Sequence, residues 1–157
     1  IREIALSNNF EFFVTLTLNS SSCDKFSLSS CQEKLRKTLK AYKRKNKDFA
    51  YLLITEKHKD GAFHFHGLMK GINNSDLIEF KEGSGYQIPY KILDYIRNGL
   101  PIYKLNYFDD KLGYCTLSKI HDYAKCCNYV CKYITKDCIK NEARDCLYIF
   151  QRSKKSY

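Results

Sequence analysis

An α+β fold is predicted by three features of the 157-residue chain. Short runs rich in β-branched and aromatic residues read as strands, some of them paired as hairpins. Longer segments repeat their apolar residues at helical spacing. No internal repeat or low-complexity linker interrupts the chain, so residues 1–157 are expected to form one domain, long enough to bury a core.

The first strand is expected at residues 11–19, EFFVTLTLN. A polar loop, SSSCDKFSLSS, follows it and offers Ser29 or Ser30 as a helix N-cap. In CQEKLRKTLKAYKRKNK, Cys31, Leu35, Leu39 and Tyr42 fall on one stripe that should pack inward. FAYLLITE and AFHFHGLMK read as two strands joined through the turn KHKDG. Residues 71–100 are less regular. NNSDLIEFKEGSG reads as a loop with a short helix, and PYKILDYIRNG as a helix ended by Gly99. A second hairpin, PIYKLNYFDDKLGYCTLSKI, should turn around Asp109–Gly113. HDYAKCCNYVCKYITKDCIK reads as a helix and RDCLYIFQRS as the last strand.

Hydrophobic residues make up 44% of the chain, which argues against general disorder. Its 27 Lys and Arg against 17 Asp and Glu leave a net charge of +10. This excess points to a polyanionic partner, and 13 Tyr and 10 Phe could supply stacking surfaces for bases. Residues 34–47 hold eight Lys or Arg and no acid. A solvated helix face explains them, and so does a face that contacts phosphates, for which Lys37, Lys40 and Arg44 are the candidates. The eight cysteines show no C-x-x-C pair, and there is no secretory signal, so they read as reduced thiols of a cytoplasmic protein. A zinc site drawn from Cys126, Cys127, Cys131 and Cys138 is the alternative. No apolar run is long enough to span a membrane. The opening IREIALSNNF has no initiator Met, which reads as a trimmed or processed start.

Two of the four histidines, His64 and His66, flank Phe65 on a predicted strand. Side chains alternate along a strand, so the two imidazoles project from the same face, roughly 6.5–7 Å apart. Such a pair suits a divalent metal, and equally a surface or core histidine pair. Across the tight turn, Glu56 can lie near them and complete a three-ligand site with open positions. His58 has the same parity as Glu56 and is a rival third ligand.

At about 100° per residue, the helix over 120–138 divides into two sides. Ile120, Ala124, Cys127, Val130, Cys131, Ile134 and Cys138 fall on one, so its cysteines read as core filler. Asp122, Lys125, Tyr129, Lys132, Tyr133 and Lys136 fall on the other. Tyr129 and Tyr133 stand one turn apart, and Lys132 and Lys136 each follow a tyrosine by three residues. A tyrosine can attack a phosphodiester and hold the broken strand as a phosphotyrosine, helped by nearby cations. A solvated Tyr/Lys face is the plainer reading of the same residues.

The order FFVTLTLN, then HFHGLM, then YVCKYITKD resembles the three ordered motifs of the HUH endonucleases that initiate rolling-circle replication. The name denotes two histidines around a hydrophobic residue, here His64-Phe65-His66. Both Tyr129–Lys132 and Tyr133–Lys136 resemble the family's last motif. The doubled YVCKY is similar to the two-tyrosine initiators of small single-stranded DNA phages and related plasmids. Relaxases differ in placing their tyrosines before the histidines, and the related single-tyrosine transposases usually lack the lysine pattern.

The resemblance implies a central antiparallel sheet of about five strands with flanking helices, the tyrosine helix among them, in an RRM-like core. It implies Mg²⁺ or Mn²⁺ held by His64, His66 and Glu56. It further implies nicking and joining of single-stranded DNA at a replication origin, by Tyr133 or Tyr129 with Lys136 and Lys132 in support. The host replication machinery would extend the freed 3′-OH, in the cytoplasm of a bacterium carrying the phage or plasmid. The competing expectation is a non-catalytic module that binds single-stranded nucleic acid. A zinc-stabilised interaction domain is a third. No ATP-binding P-loop occurs in the sequence, so the chain is not expected to unwind duplex by itself.

Overall fold

A computed structural model describes residues 2–85, 87–140 and 148–151. In chain order its elements are α1 (Arg2–Ser7), β1 (Phe12–Leu18), α2 (Leu28–Lys45), β2 (Ala50–Lys57) and β3 (Phe63–Lys70). A 3₁₀ turn, Asn74–Asp76, then leads to β4 (Leu77–Glu79). The rest are α3 (Tyr90–Arg97), β5 (Ile102–Leu105), α4 (Asn106–Lys111), β6 (Gly113–Lys119), α5 (Tyr123–Lys140) and β7 (Tyr148–Gln151).

The strands form one antiparallel sheet in the order β4-β5-β6-β1-β3-β2-β7. This is the α+β architecture expected, with seven strands where about five were anticipated. The additional strands are short ones at the two edges: β4 has three residues and β7 four.

Alternation decides which way each strand faces. In β1, Phe12, Val14, Leu16 and Leu18 are buried, while Phe13, Thr15 and Thr17 between them are half-buried on the opposite face. The first face is closed by α2, whose Cys31, Leu35, Leu39 and Tyr42 stripe packs onto Leu16, Phe65 and Leu117 as periodicity predicted. Tyr42 anchors this layer. Its ring lies 4.7 Å from Phe49, while its hydroxyl donates to Asp76 Oδ2 at 2.8 Å and accepts from Asn73 N–H at 3.1 Å. Removing that hydroxyl would strand both partners, at a cost of about 1–3 kcal/mol.

The second face is covered in part by α1 and α5. Ala5, Phe10, Cys127 and Val130 pack there on Leu52, Ile54 and Leu68. The Tyr123 hydroxyl ties the two helices to the chain between them, accepting from Phe10 N–H and donating to the Ala5 carbonyl.

Three local expectations are corrected. The α2 N-cap is Ser27, which accepts from Ser30 N–H, because the helix begins at Leu28 and takes Ser29 and Ser30 into its first turn. The second hairpin closes through α4 instead of a turn at Asp109–Gly113. Phe108 is the reason: as part of a helix it reaches full burial in the α2 layer, which a solvated turn would deny it. The stretch read as a loop with a short helix also contributes the edge strand β4, paired with β5. On α5, Cys127 and Val130 are buried as predicted, whereas Ala124 is exposed and Cys131 half-buried.

Candidate metal centre and tyrosine helix

The β2–β3 hairpin sets the centre of the site. Its turn is closed by His58 N–H to the Ala62 carbonyl at 2.9 Å and by Ala62 N–H to Asp60 Oδ1 at 2.9 Å. The resulting register sets Glu56 opposite His64 and Ile54 opposite His66. On the other side of β3, Thr17 faces His64 and Thr15 faces His66. Even-numbered residues of β2 and β3 and odd-numbered residues of β1 therefore share the α5 face. Phe65, between the two histidines, points into the α2 core instead.

Gly67 ends the His-Phe-His-Gly run where β2 and β3 come closest. A Cβ there would lie 1.9 Å from the Leu52 carbonyl oxygen, so no side chain fits.

Glu56 and His66 meet as the sequence suggested, with Oε2 to Nε2 at 2.5 Å. His58 Nε2 is 3.7 Å from the same oxygen. One ligand atom each from Glu56, His58 and His66 lie within 4.8 Å of one another, the only such His/Cys/Asp/Glu group among the described residues. His58, the rival ligand, thus enters the cluster. His64 is one step removed: its ring stacks on that of His58, with centroids 3.5 Å apart and planes 9° apart. Burial, followed by the neighbouring His58 and His66, lowers the His64 pKa and favours the neutral ring that can act as a ligand.

Two residues overlooked at the sequence level support this centre. Thr15 Oγ1 lies 3.3 Å from His66 Nδ1, and Thr17 Oγ1 lies 3.2 Å from His64 Nδ1. Each hydroxyl engages the inner ring nitrogen and so orients the outer one, the usual support for a metal-binding imidazole. The alternation T-L-T in FFVTLTLN carried this signal, since it puts two hydroxyls on the face opposite the buried leucines.

The donor set, one carboxylate and up to three imidazoles, fits a divalent cation with mixed nitrogen and oxygen preference. Mn²⁺ suits it better than Mg²⁺, which favours oxygen ligands. The zinc alternative finds no support among the described side chains. Cys127 is enclosed in the apolar cluster under α5, and burial pushes the half-buried Cys126 thiol up to about 11, keeping it protonated. The Cys138 side chain lies outside the described residues.

Tyr129 stands on the exposed side of α5. Its ring meets Phe13 edge-on at 5.7 Å, and Phe13 in turn stacks against His66 at 6.5 Å and 22°. Lys132 is exposed one turn further along α5. Positions 133 and 136 continue the helix, but the side chains of Tyr133 and Lys136 lie outside the described residues.

Beside Tyr129 a groove runs over the open sheet. One part, about 390 Å³, is lined by Phe13, Lys119, His121, Lys125 and Tyr129. It continues into a second part of about 350 Å³ reaching Thr15, Thr116 and Tyr95. Lys37, Lys40 and Arg44 are exposed on α2, which covers the other face, so the sheet separates them from the histidines. Lys37 is also paired with Glu33 at 3.2 Å, both of them largely exposed.

Neither the curated proteins nor the solved structures compared with the chain include a significant match. A family model does match, over residues 11–138, a span that runs from β1 through the histidine hairpin to the end of the tyrosine motif. The chain therefore belongs to the replication-associated protein family of the ORF2 type, a family of rolling-circle replication initiators.

Proposed function

We propose that this replication-associated protein nicks and rejoins single-stranded DNA at a rolling-circle origin through a covalent phosphotyrosine, and that it is of the two-tyrosine type. The observation that carries the reading is the shared sheet face: Glu56, His58 and His66 converge there, and Tyr129 is linked to His66 through Phe13. The nucleophile is Tyr133 or Tyr129.

Glu56, His66 and His58 would hold the divalent cation, with His64 stacked behind them. The chemistry supplied by a cation bound there is Lewis-acid polarisation of the scissile phosphate. The tyrosine oxygen forms a bond to phosphorus as the bond to the 3′ oxygen breaks, leaving a 5′-phosphotyrosine and a free 3′-OH for host polymerase. The second tyrosine would take the strand in the closing transfer. Lys132 and Lys136 would stabilise charge on the phosphate or help their tyrosines ionise.

The groove past Lys119, His121 and Lys125 is the proposed track of the strand. Lys37, Lys40 and Arg44 lie across the sheet from it, so their proposed role is contact with phosphates of DNA leaving the site around the sheet edge.

The test is a denaturing gel of the protein with a labelled single-stranded origin library and Mn²⁺, with and without EDTA. A covalent adduct that EDTA abolishes is expected, and Tyr133→Phe or Tyr129→Phe should remove most of it. An adduct that persists in the double variant would refute the tyrosine mechanism. Binding without any adduct, indifferent to EDTA, would leave a non-catalytic DNA-binding module.

A further inference from the structure

A second cleft opens on the same sheet face, beyond β1 from the histidines. About 650 Å³ in volume, it is lined by Phe80, Gln87, Ile88, Pro89, Tyr90, Lys104, Asp109 and Tyr114. That size and mixture, apolar walls with a few convergent polar groups, are typical of a small-molecule or base pocket. The register fixes its distance from the site. Tyr114 pairs with Thr17, and Thr17 pairs with His64, so two inter-strand steps, about 10 Å, separate Tyr114 from the histidine strand.

Gly113 holds this approach tight. Its φ is +143°, and a Cβ there would lie 2.2 Å from the Thr17 carbonyl oxygen. The tyrosine that follows is thereby set on the strand next to β1.

The polar groups of the cleft have an unusual balance. Lys104 and Asp109 are mutually paired at 2.7 Å and mostly shielded from solvent, presenting a donor and an acceptor side by side. The Tyr114 hydroxyl is buried and meets no hydrogen-bonding partner among the described residues. A buried hydroxyl of this kind calls for an explanation, because leaving its hydrogen bond unmade is costly. Burial also raises its pKa to about 12, so it stays protonated and able to donate. The Phe80 ring lies 6.1 Å from that of Tyr114, and Tyr90 stands at the mouth of the cleft with 83% of its surface exposed.

We propose that this cleft takes one unstacked nucleobase of the strand held at the histidine centre, and that the Tyr114 hydroxyl reads its edge. The inference rests on the nicking reading above and adds to it a determinant of origin sequence. The base lies against the aromatic walls, as single-stranded nucleic acid does on exposed rings. Its edge carries both a donor and an acceptor, matched by the Gln87 amide, the Lys104–Asp109 pair and the Tyr114 hydroxyl. The partner is a base because the cleft adjoins a strand track on a strongly basic protein while its own charges are internally neutralised.

The experiment sequences the strands captured as covalent adducts from a randomised single-stranded library with Mn²⁺, for the wild type, Tyr114→Phe and Gln87→Ala. Tyr114→Phe keeps the ring and removes only the hydroxyl. A base preference of about tenfold should be lost at one nucleotide near the nick, with preference elsewhere retained. Gln87→Ala, at an exposed position, should weaken preference at that same nucleotide. An unchanged profile in both variants, or an equal loss at every position, would overturn the pocket. Absence of any wild-type adduct would count against nicking alone. The pocket would then be judged by the same profile in strands selected for binding in EDTA, with the same two outcomes.

Discussion

On the α2 face of the sheet, Leu35, Leu39, Tyr42, Phe65 and Phe108 are fully enclosed, and aromatic rings pack against one another at 4.7–6.3 Å. On the α5 face, the same strands present Thr15, Thr17, Glu56, His64 and His66, half-buried and partly uncovered. Phe65 and its two neighbours make the contrast sharpest, since consecutive side chains of one strand serve opposite layers. Close packing on one side lets the other remain polar: the α2 layer secures the strands, so the α5 face need not be sealed to keep the register that assembles the ligands.

This contrast can be broken from the stable side first. Phe65→Ala empties a fully buried aromatic site and should cost about 3–5 kcal/mol, read as a lower urea midpoint. Next in size is Glu56→Ala, which should reduce Mn²⁺-dependent adduct formation by roughly a hundredfold or more. Its urea midpoint should stay near that of the wild type. If the variant instead unfolds as readily as Phe65→Ala, the carboxylate is structural and the division between faces fails.

Thr15→Val and Thr17→Val keep the shape of the side chain and delete the hydroxyl at each histidine. Each should weaken Mn²⁺ binding by about 10- to 100-fold, measurable by titration calorimetry, without loss of secondary structure by circular dichroism. The smallest effect belongs to the far face. Combined replacement of Lys37, Lys40 and Arg44 by Ala should leave adduct formation on a short oligonucleotide within about twofold while flattening the salt dependence of binding to longer strands by about 0.7 per lost phosphate contact. A comparable loss on both lengths would bring α2 to the scissile region, against the layering.

The histidine pair, the carboxylate across the turn and the tyrosine–lysine spacing were legible because strand and helix periods fix the relative direction of nearby residues. Thr15 and Thr17 were also within reach of that logic, but their role depends on β1 lying beside β3, a pairing between segments some fifty residues apart. His58 and Glu56 share a parity, and the sequence held no means of choosing between them. The folded hairpin gathers both around His66 and stacks His64 on His58. The basic stretch of α2 was equally visible, yet charge has no periodicity that says which side of a sheet a helix will cover.

By itself, then, the sequence determined the α+β class, the inward stripes of α2 and α5, and the residue types of the metal centre. All of these follow from local geometry repeated every two or 3.6 residues. Only the tertiary structure decided the strand order, the separation of α2 from the histidines, the helix that replaced the second hairpin turn, and the cleft beside Tyr114. These rest on long-range packing, in which Phe108 finds an enclosed site and β1 comes to lie between β3 and β6. No local period encodes such a choice.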